Sequence, residues 1–242
     1  MRIVRSYIDC PLTPGLELAL PESASNHIVR VLRMVPGELL HLFNGDGHDY
    51  PAEILSLEKR IARVRIISCI AIGNESPLRI HLYQSIARGE KMDWILQKAT
   101  ELGVAAFTPL LSDRTEVKLD QERSDKRLSH WHGVIHSACE QSGRALIPAI
   151  HAPVSISRLE SGGVAQGYYL QPGAVMRLAD LSPSLTAETA LAIGPEGGFS
   201  ERDIQLLQNA GFKALSLGPR VLRTETAGIA VIAALQSHFG DF

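Results

Sequence analysis

From residue 78 onward the chain repeats one pattern, an apolar strand-like run followed by a helical one, and this limits its possible folds more than any other feature. "LRIHLYQSIA" precedes "EKMDWILQKATELG", "VAAFTPLL" precedes "ERSDKRLSHWHGVIHSACEQSGR", and "TALAIG" precedes "SERDIQLLQNAG". "KALSLG" then leads to a last helix, expected from about Thr226 to Phe239. Antiparallel neighbours need only a tight turn, whereas parallel strands need a long crossover that a helix supplies. The alternation therefore predicts an α/β domain with a mostly parallel sheet covered by helices. Ligands in such sheets bind outside the carboxyl ends of the strands.

The texture before residue 73 is different. "RIVRSYI", "ELLHLFN", "DYPAEILSL" and "IARVRIISCI" are short β-rich segments separated by turn signals, the pattern of a small barrel or curled sheet. Between them, "ESASNHIVRVLRM" reads as one helix with His27, Val31 and Met34 on one side and Arg30 and Arg33 on another. With "GNESP" as the joint, the expected division is 1–72 and 73–242. A chain of 242 residues is long enough for two cores.

Twenty-four Lys+Arg against 26 Asp+Glu leave a formal charge of -2, so any polyanion must be met by local basic patches and not by a global field. Cys10, Cys69 and Cys139 lie far apart with no CxxC spacing, which speaks against a zinc site or disulfide framework and for a reducing compartment. "MRIVRSYIDC" lacks the apolar stretch of a signal peptide, and no apolar run reaches the roughly 18 residues needed to cross a bilayer. A soluble, cytoplasmic protein without a membrane partner is expected.

Two carboxyl-end loops stand out. "LAIGPEGGFSERD" passes through Gly194, Pro195, Glu196, Gly197 and Gly198 into a helix expected to be capped by Ser200, with Asp203 completing a capping box. Clustered glycines let the backbone approach a ligand and expose its N–H groups. Neither GxxxxGK[ST] nor GxGxxG is present, and Glu196 would repel a polyphosphate, so a nucleotide-phosphate site is disfavoured. A ligand with an adenine, a ribose and a cationic centre suits a glutamate among exposed amides better. "LSLGPRVLRTETAG" is the second loop, again a strand ending in Gly-Pro. An ordinary strand-to-helix turn would explain either loop alone, but less well the pair.

"ATELGVAAFTPLLSDRTEVK", "CEQSGR", "AIGPEGGFS" and "LGPRVLRTETA", in this order, resemble the RsmE family, the small-subunit ribosomal RNA uridine-N3 methyltransferases of the SPOUT superfamily. "HIVRVLRMVPGELLHLFNGDG" resembles that family's N-terminal RNA-binding module. The resemblance implies a PUA-like β-barrel followed by a SPOUT-type α/β domain whose C-terminal part, about 168–242, is threaded into a trefoil knot. It also implies a homodimer, S-adenosylmethionine (AdoMet) bound in the knot, and small-subunit ribosomal RNA, as the assembled 30S subunit, for substrate. Spacing alone does not show a knot, which topology rules would reject.

The same resemblance assigns residues. Leu170, Gln171 and Pro172 of "YYLQPGA" would flank the cofactor, while Ile193, Gly194, Pro195, Glu196, Gly197 and Gly198 would meet it through the second segment. Leu217, Gly218, Val221, Leu222, Arg223, Thr226 and Ala227 would complete its cradle, with Leu217, Gly218 and Leu222 walling the adenine.

Uridine N3 carries a proton that leaves only above neutral pH, so attack on a methyl sulfonium requires help with deprotonation. An arginine beside the uracil oxygens would stabilise the anion, and a carboxylate or hydroxyl would take the proton. Arg223 fits the first role; Glu225 and Thr224 are the candidates for the second, with Glu196 or the cofactor's own carboxylate as alternatives. A salt bridge between Arg223 and Glu225 that merely fastens the loop is the bland rival. Arg30, Arg33, Arg88, Lys91, Lys98, Arg114 and Arg144 are the candidate phosphate contacts, each of which also reads as a solvated surface charge. Glu140 and Gln141, with Arg144, are expected on the substrate side. His132, His136 and Glu140 share a helical face and can be drawn as a metal site, but HExxH is absent and methyl transfer needs no metal. No metal is expected. A non-enzymatic RNA-binding protein, or a methyltransferase acting at another RNA position, remains the alternative.

Overall fold

The computed structural model describes residues 3–59, 61–115 and 121–242; residues 116–120, which include the end of the motif "SDRTEVK", lie outside the described residues. By compactness the chain forms two units: residues 1–75 with 136–147, and residues 76–135 with 148–242.

The first unit holds β1 (Arg5–Tyr7), β2 (Glu17–Ala19), the short helix α1 (Glu22–Asn26), β3 (Leu39–Phe43), β4 (His48–Glu58), β5 (Ile61–Ile66) and β6 (Ile70–Ala71). The sheet order is β1-β3-β4-β5-β2 with β6 also on β4; β1 and β3 run parallel and the other pairs antiparallel. Strict alternation sets the core: Ala62, Val64 and Ile66 of β5 point inward while Arg63 and Arg65 point out. With Leu40, Leu42, Ala52, Ile54, Ile28 and Leu20 they make one buried cluster.

The expected helix over 22–34 is not continuous. After α1 the chain widens into a π-turn at His27–Val31, and Arg33 adopts φ 55. The β-branched run Ile28, Val29, Val31 is a poor α-helical sequence, and the left-handed residue redirects the chain so that Met34 enters the core. Val31 and Leu32 are left exposed, so the expected grouping of Val31 with Met34 on one face does not occur.

Residues 136–147, which include the end of the helix Gln121–Ser142, belong to this unit, and polar groups tie them there. Arg5 donates through Nη1 to Cys139 O at 2.7 Å, and Tyr7 N–H donates to Glu140 Oε1 at 3.0 Å. The His136 ring lies on Tyr7, 3.9 Å between centroids.

The second unit contains β7 (Ile80–Ser85), α2 (Lys91–Glu101), β8 (Ala106–Leu111), α3 (Gln121–Ser142, to residue 135), β9 (Ala149–Ile150), β10 (Val154–Ser155), β11 (Gly167–Leu170), β12 (Thr189–Ile193), α4 (Glu201–Ala210), β13 (Phe212–Leu215) and α5 (Thr224–Phe239). All strand pairs are parallel, in the order β10-β8-β7-β12-β11-β13 with β9 also on β8. β12 is buried at every residue, as expected of a central strand covered on both faces. Buried His81 is held at both ring nitrogens, by Glu188 Oε1 at 2.9 Å and Thr108 Oγ1 at 2.8 Å, and burial pushes its pKa down.

Ser200 caps α4 in the expected capping box: its hydroxyl accepts from Asp203 N–H, and Asp203 accepts from Ser200 N–H, both at 3.0 Å. α5 starts two residues earlier than expected, so Thr224, Glu225 and Thr226 form its first turn, with Arg223 as the preceding cap residue. It packs on α2 and β12. Gly228 faces the interior of its own unit: a Cβ there would stand 3.5 Å from Gln84 Oε1 and 3.7 Å from Ile193 Cγ1.

Candidate active site

β11, β12 and β13 end side by side, and the loops beyond their carboxyl ends enclose a cavity of about 310 Å³. Leu170, Gln171 and Pro172 supply one wall; Ile193, Gly194, Pro195, Glu196 and Gly198 supply another. Leu217, Gly218, Val221, Leu222, Arg223 and Ala227 close the third side. Two of the residues expected here are elsewhere. Gly197 turns its carbonyl to Arg114, accepting from Nη1 at 2.7 Å, and Thr226 opens onto a different groove along α5.

The glycines have separable reasons. At Gly194 a Cβ would come within 3.2 Å of Phe199 N and 3.3 Å of the Gly198 backbone, so a side chain there would press the loop open by a few tenths of an ångström. Gly198 and Gly218 take φ +69 and +116, conformations that L-residues avoid, and a Cβ at either would meet no protein atom within 4 Å. Open space next to exposed backbone, walled by aliphatic side chains, suits a flat heterocycle with polar edges.

Polar fastenings tie the cavity's parts together. Thr224, a candidate proton acceptor by sequence, is buried; its hydroxyl donates to Gly194 O at 2.6 Å and accepts from Gln84 Nε2 at 3.0 Å. These two bonds latch the start of α5 to the glycine loop. Lys91, a candidate phosphate contact by sequence, lines the cavity: its ammonium donates to Glu196 Oε1 at 3.1 Å and lies 3.7 Å from Glu225 Oε2. Partial burial opposes ionisation of Glu196, but its own backbone N–H, the Lys91 ammonium and the Arg88 N–H outweigh it and hold the carboxyl below its ordinary range. Glu225 Oε2 is different. It is shielded from solvent and accepts no hydrogen bond.

Phe199, Leu215 and Arg220 also line the cavity, although no sequence motif singles them out. Phe199 and Leu215 flank glycine-rich stretches whose signal lies in the backbone, and Arg220 stands three residues before Arg223 with nothing in the spacing to rank one above the other. The one signal for Lys91 is its place in the chain: it opens a helix that follows a carboxyl-end loop, the side of the sheet where ligands sit.

The remaining expected phosphate contacts divide. Arg30 and Arg33 belong to the first unit, where both are exposed, and Arg88 and Arg114 are exposed in the second. Lys98 is drawn to Glu101 on its own helix at 2.8 Å. Arg144 does not face solvent: it is 4% exposed and makes a two-pronged pair with Glu75, at 3.0 and 2.5 Å, because a buried guanidinium needs a carboxylate partner. Glu140 Oε1 accepts from Tyr7 N–H, and Glu140 and Gln141 line a groove of the first unit with Ile3, Val4 and His27.

Comparison with known proteins agrees with this architecture. Residues 74–236 match the RNA methyltransferase domain, and residues 20–67 match the RNA methyltransferase PUA domain. The ribosomal RNA small subunit methyltransferase E of Buchnera aphidicola subsp. Schizaphis graminum is 36% identical over 244 residues, covering 99% of this chain and 98% of its own. The chain belongs to the ribosomal RNA small subunit methyltransferase E family. Among solved structures, a Legionella pneumophila protein in complex with the cofactor SAM is similar with a TM-score of 0.93 and 42% identity. The methyltransferase E of Neisseria gonorrhoeae bound to S-adenosyl methionine follows with 0.89 and 38%, and each pair overlaps over 100% of both chains.

Proposed function

We propose that this chain methylates N3 of a uridine in small-subunit ribosomal RNA, with AdoMet as donor bound in the cavity at the ends of β11, β12 and β13. The observation that carries the reading is the glycine-lined cavity, whose open backbone at Gly198 and Gly218 faces aliphatic walls and whose rim holds Arg223. Leu217, Gly218 and Leu222 would sandwich the adenine, and Gly194 and Gly198 would approach the cofactor through backbone. AdoMet supplies an electrophilic methyl on a sulfonium, which departs as a neutral thioether once the methyl has been taken. Residues 168–242 would form the trefoil knot that frames this site, and 1–72 and 73–242 the two functional domains.

The chain's own task is the N3 proton and the charge its departure leaves. Arg223, at the rim, is placed to stabilise negative charge on the uracil oxygens. Glu225 takes the proton in this reading: its Oε2 has no hydrogen bond to give up. Glu196 is the poorer base, because its bonds to Lys91 and two backbone amides favour the anion and weaken its hold on a proton.

The groove along α5 lined by Thr226, Ala230, Ala234, Leu178 and Leu222 supports a homodimer built on that helix, since small side chains permit close approach. Arg30 and Arg33 are the best-placed RNA contacts of the first unit, and the reading places the enzyme in the cytoplasm with the assembling 30S subunit.

Mass spectrometry of small-subunit RNA from cells lacking the protein tests the assignment; a fully N3-methylated uridine complement would overturn it. Light scattering that reports a monomer at micromolar concentration would refute the dimer.

A further inference from the structure

Behind the cavity wall lies a buried carboxamide. Gln84 is the second-last residue of β7 and is 1% exposed. The β7–β12 register sets it opposite Ile193, the residue before Gly194. Its Nε2 donates to Ser85 O and to Thr224 Oγ1, both at 3.0 Å, and Thr224, in the wall itself, donates to Gly194 O at 2.6 Å. Ser85 O can only accept, which fixes the amide nitrogen on this side. Gln84 Oε1 is shielded from solvent and, among the described residues, accepts no hydrogen bond. An apolar side chain would fill this space more cheaply, since an unsatisfied buried carbonyl costs free energy. What the carboxamide contributes is its two donors.

We propose that Gln84 is a positioning residue for cofactor binding: its carboxamide, anchored on Ser85 O, holds the Thr224 hydroxyl against Gly194 O and so closes the glycine loop onto the start of α5 before the cofactor arrives. The inference rests on the reading of the cavity as the AdoMet site. The donors run one way, from Gln84 through Thr224 to Gly194 O. Thr224 opens α5 directly after Arg223, so this chain of bonds sets the glycine loop against the arginine at the rim. A loop latched in advance spares the ligand the cost of ordering it. Where only a fraction of the molecules is latched, apparent affinity falls by that fraction. Saturating AdoMet pulls the population back to the latched form, and the rate returns with it. Gln84 therefore acts on affinity, whereas Arg223 acts on the rate.

Calorimetry with AdoMet and steady-state kinetics on the full chain read the two sides. Gln84→Met keeps the length without the donors and is expected to weaken AdoMet binding about five- to tenfold, the worth of one buried hydrogen bond. KM for AdoMet should rise alike, while kcat stays within about threefold of wild type. Thr224→Val should weaken binding to the same degree, and Thr224→Ser, which keeps the hydroxyl, should bind within about twofold of wild type. Gln84→Met combined with Thr224→Val should bind no more weakly than either alone, because both open the same latch. Unchanged affinity in Gln84→Met, with a lowered urea midpoint, would make Gln84 a core residue only and overturn the proposal; additive losses in the double variant would do the same. If Gln84→Met does not fold, the Thr224 pair decides, and equal affinities in the valine and serine variants overturn the proposal. Failure of the wild-type protein to bind AdoMet is a different result, which overturns the cofactor reading and the proposal with it.

Discussion

Asp49 in the first unit and Glu225 in the second are both carboxylates beside a cation, yet their oxygens are used differently. Each Asp49 oxygen is occupied: Oδ1 accepts from Arg5 Nη2 at 2.6 Å, and Oδ2 from Arg5 Nε at 3.0 Å and from His41 Nδ1 at 3.1 Å. Arg5 then spends its other donors on Cys139 O and Arg144 O and lies over the Phe43 ring, 4.4 Å from its centroid. Glu225 keeps one shielded oxygen without a hydrogen bond and its lysine at 3.7 Å. Burial leaves a charge no alternative to its partners, so a closed network fixes one arrangement and has nothing left for a ligand. An unfinished network beside a cavity keeps an acceptor in reserve.

The largest expected effect comes from opening the closed network. Arg5→Met would leave Asp49, 6% exposed at its side chain, charged and uncompensated, at a cost of about 3–5 kcal/mol. Urea denaturation measures this, and Arg5→Met with Asp49→Leu should recover much of the loss because both charges are then gone. A loss below about 1 kcal/mol would show that the network is less closed than its geometry indicates.

In the open cluster, substitution should cost rate and not stability. Arg223→Ala is expected to slow single-turnover methylation about 10²- to 10³-fold while the affinity for AdoMet changes little, as for removal of one electrostatic stabiliser. Lysine should rescue poorly, since a point charge does not reproduce a planar fork. Glu225→Gln should regain rate as pH rises and hydroxide takes over deprotonation. If both variants match wild type at saturating AdoMet and RNA, the catalytic roles are wrong and these residues are scaffolding.

This contrast marks where sequence reasoning reaches and where it stops. Local rules are legible: the Ser200–Asp203 box, the strand–helix alternation and the two Gly-Pro loops each depend on residues a few positions apart. β11 escapes them because four residues, "GYYL", carry no period worth counting, and only its neighbours on both sides make it a strand. The contacts of Lys91 and Thr224 escape for a related reason. Their partners, Glu196, Gly194 and Gln84, lie 30 to 140 positions away, and no spacing rule links them.

A smaller effect is expected at the cradle's backbone. Gly198 holds φ +69, and a methyl group there would have no atom within 4 Å, so Gly198→Ala meets strain and not collision, about 1–2 kcal/mol. AdoMet affinity should fall about tenfold. Gly198→Val adds a β-branched side chain directed into the open space and should remove measurable binding. Tight binding by the valine variant would show that the ligand lies elsewhere.

The smallest effect belongs to the exposed edge of the open cluster, and its sign is fixed by Glu196. Its folded carboxyl titrates below the ordinary value of 4.5, so the anion is the form the fold favours. Its contribution to stability is therefore fully present above pH 4.5 and is lost as pH falls through the folded value. With more than a third of the side chain exposed, solvent and salt screen the pair with Lys91, and the contribution should stay below about 1 kcal/mol. Urea midpoints of wild type and Glu196→Gln should differ slightly at neutral pH, converge in acid, and draw together in high salt. A difference that persists after Glu196 has been protonated would mean that the side chain acts by packing and not by charge.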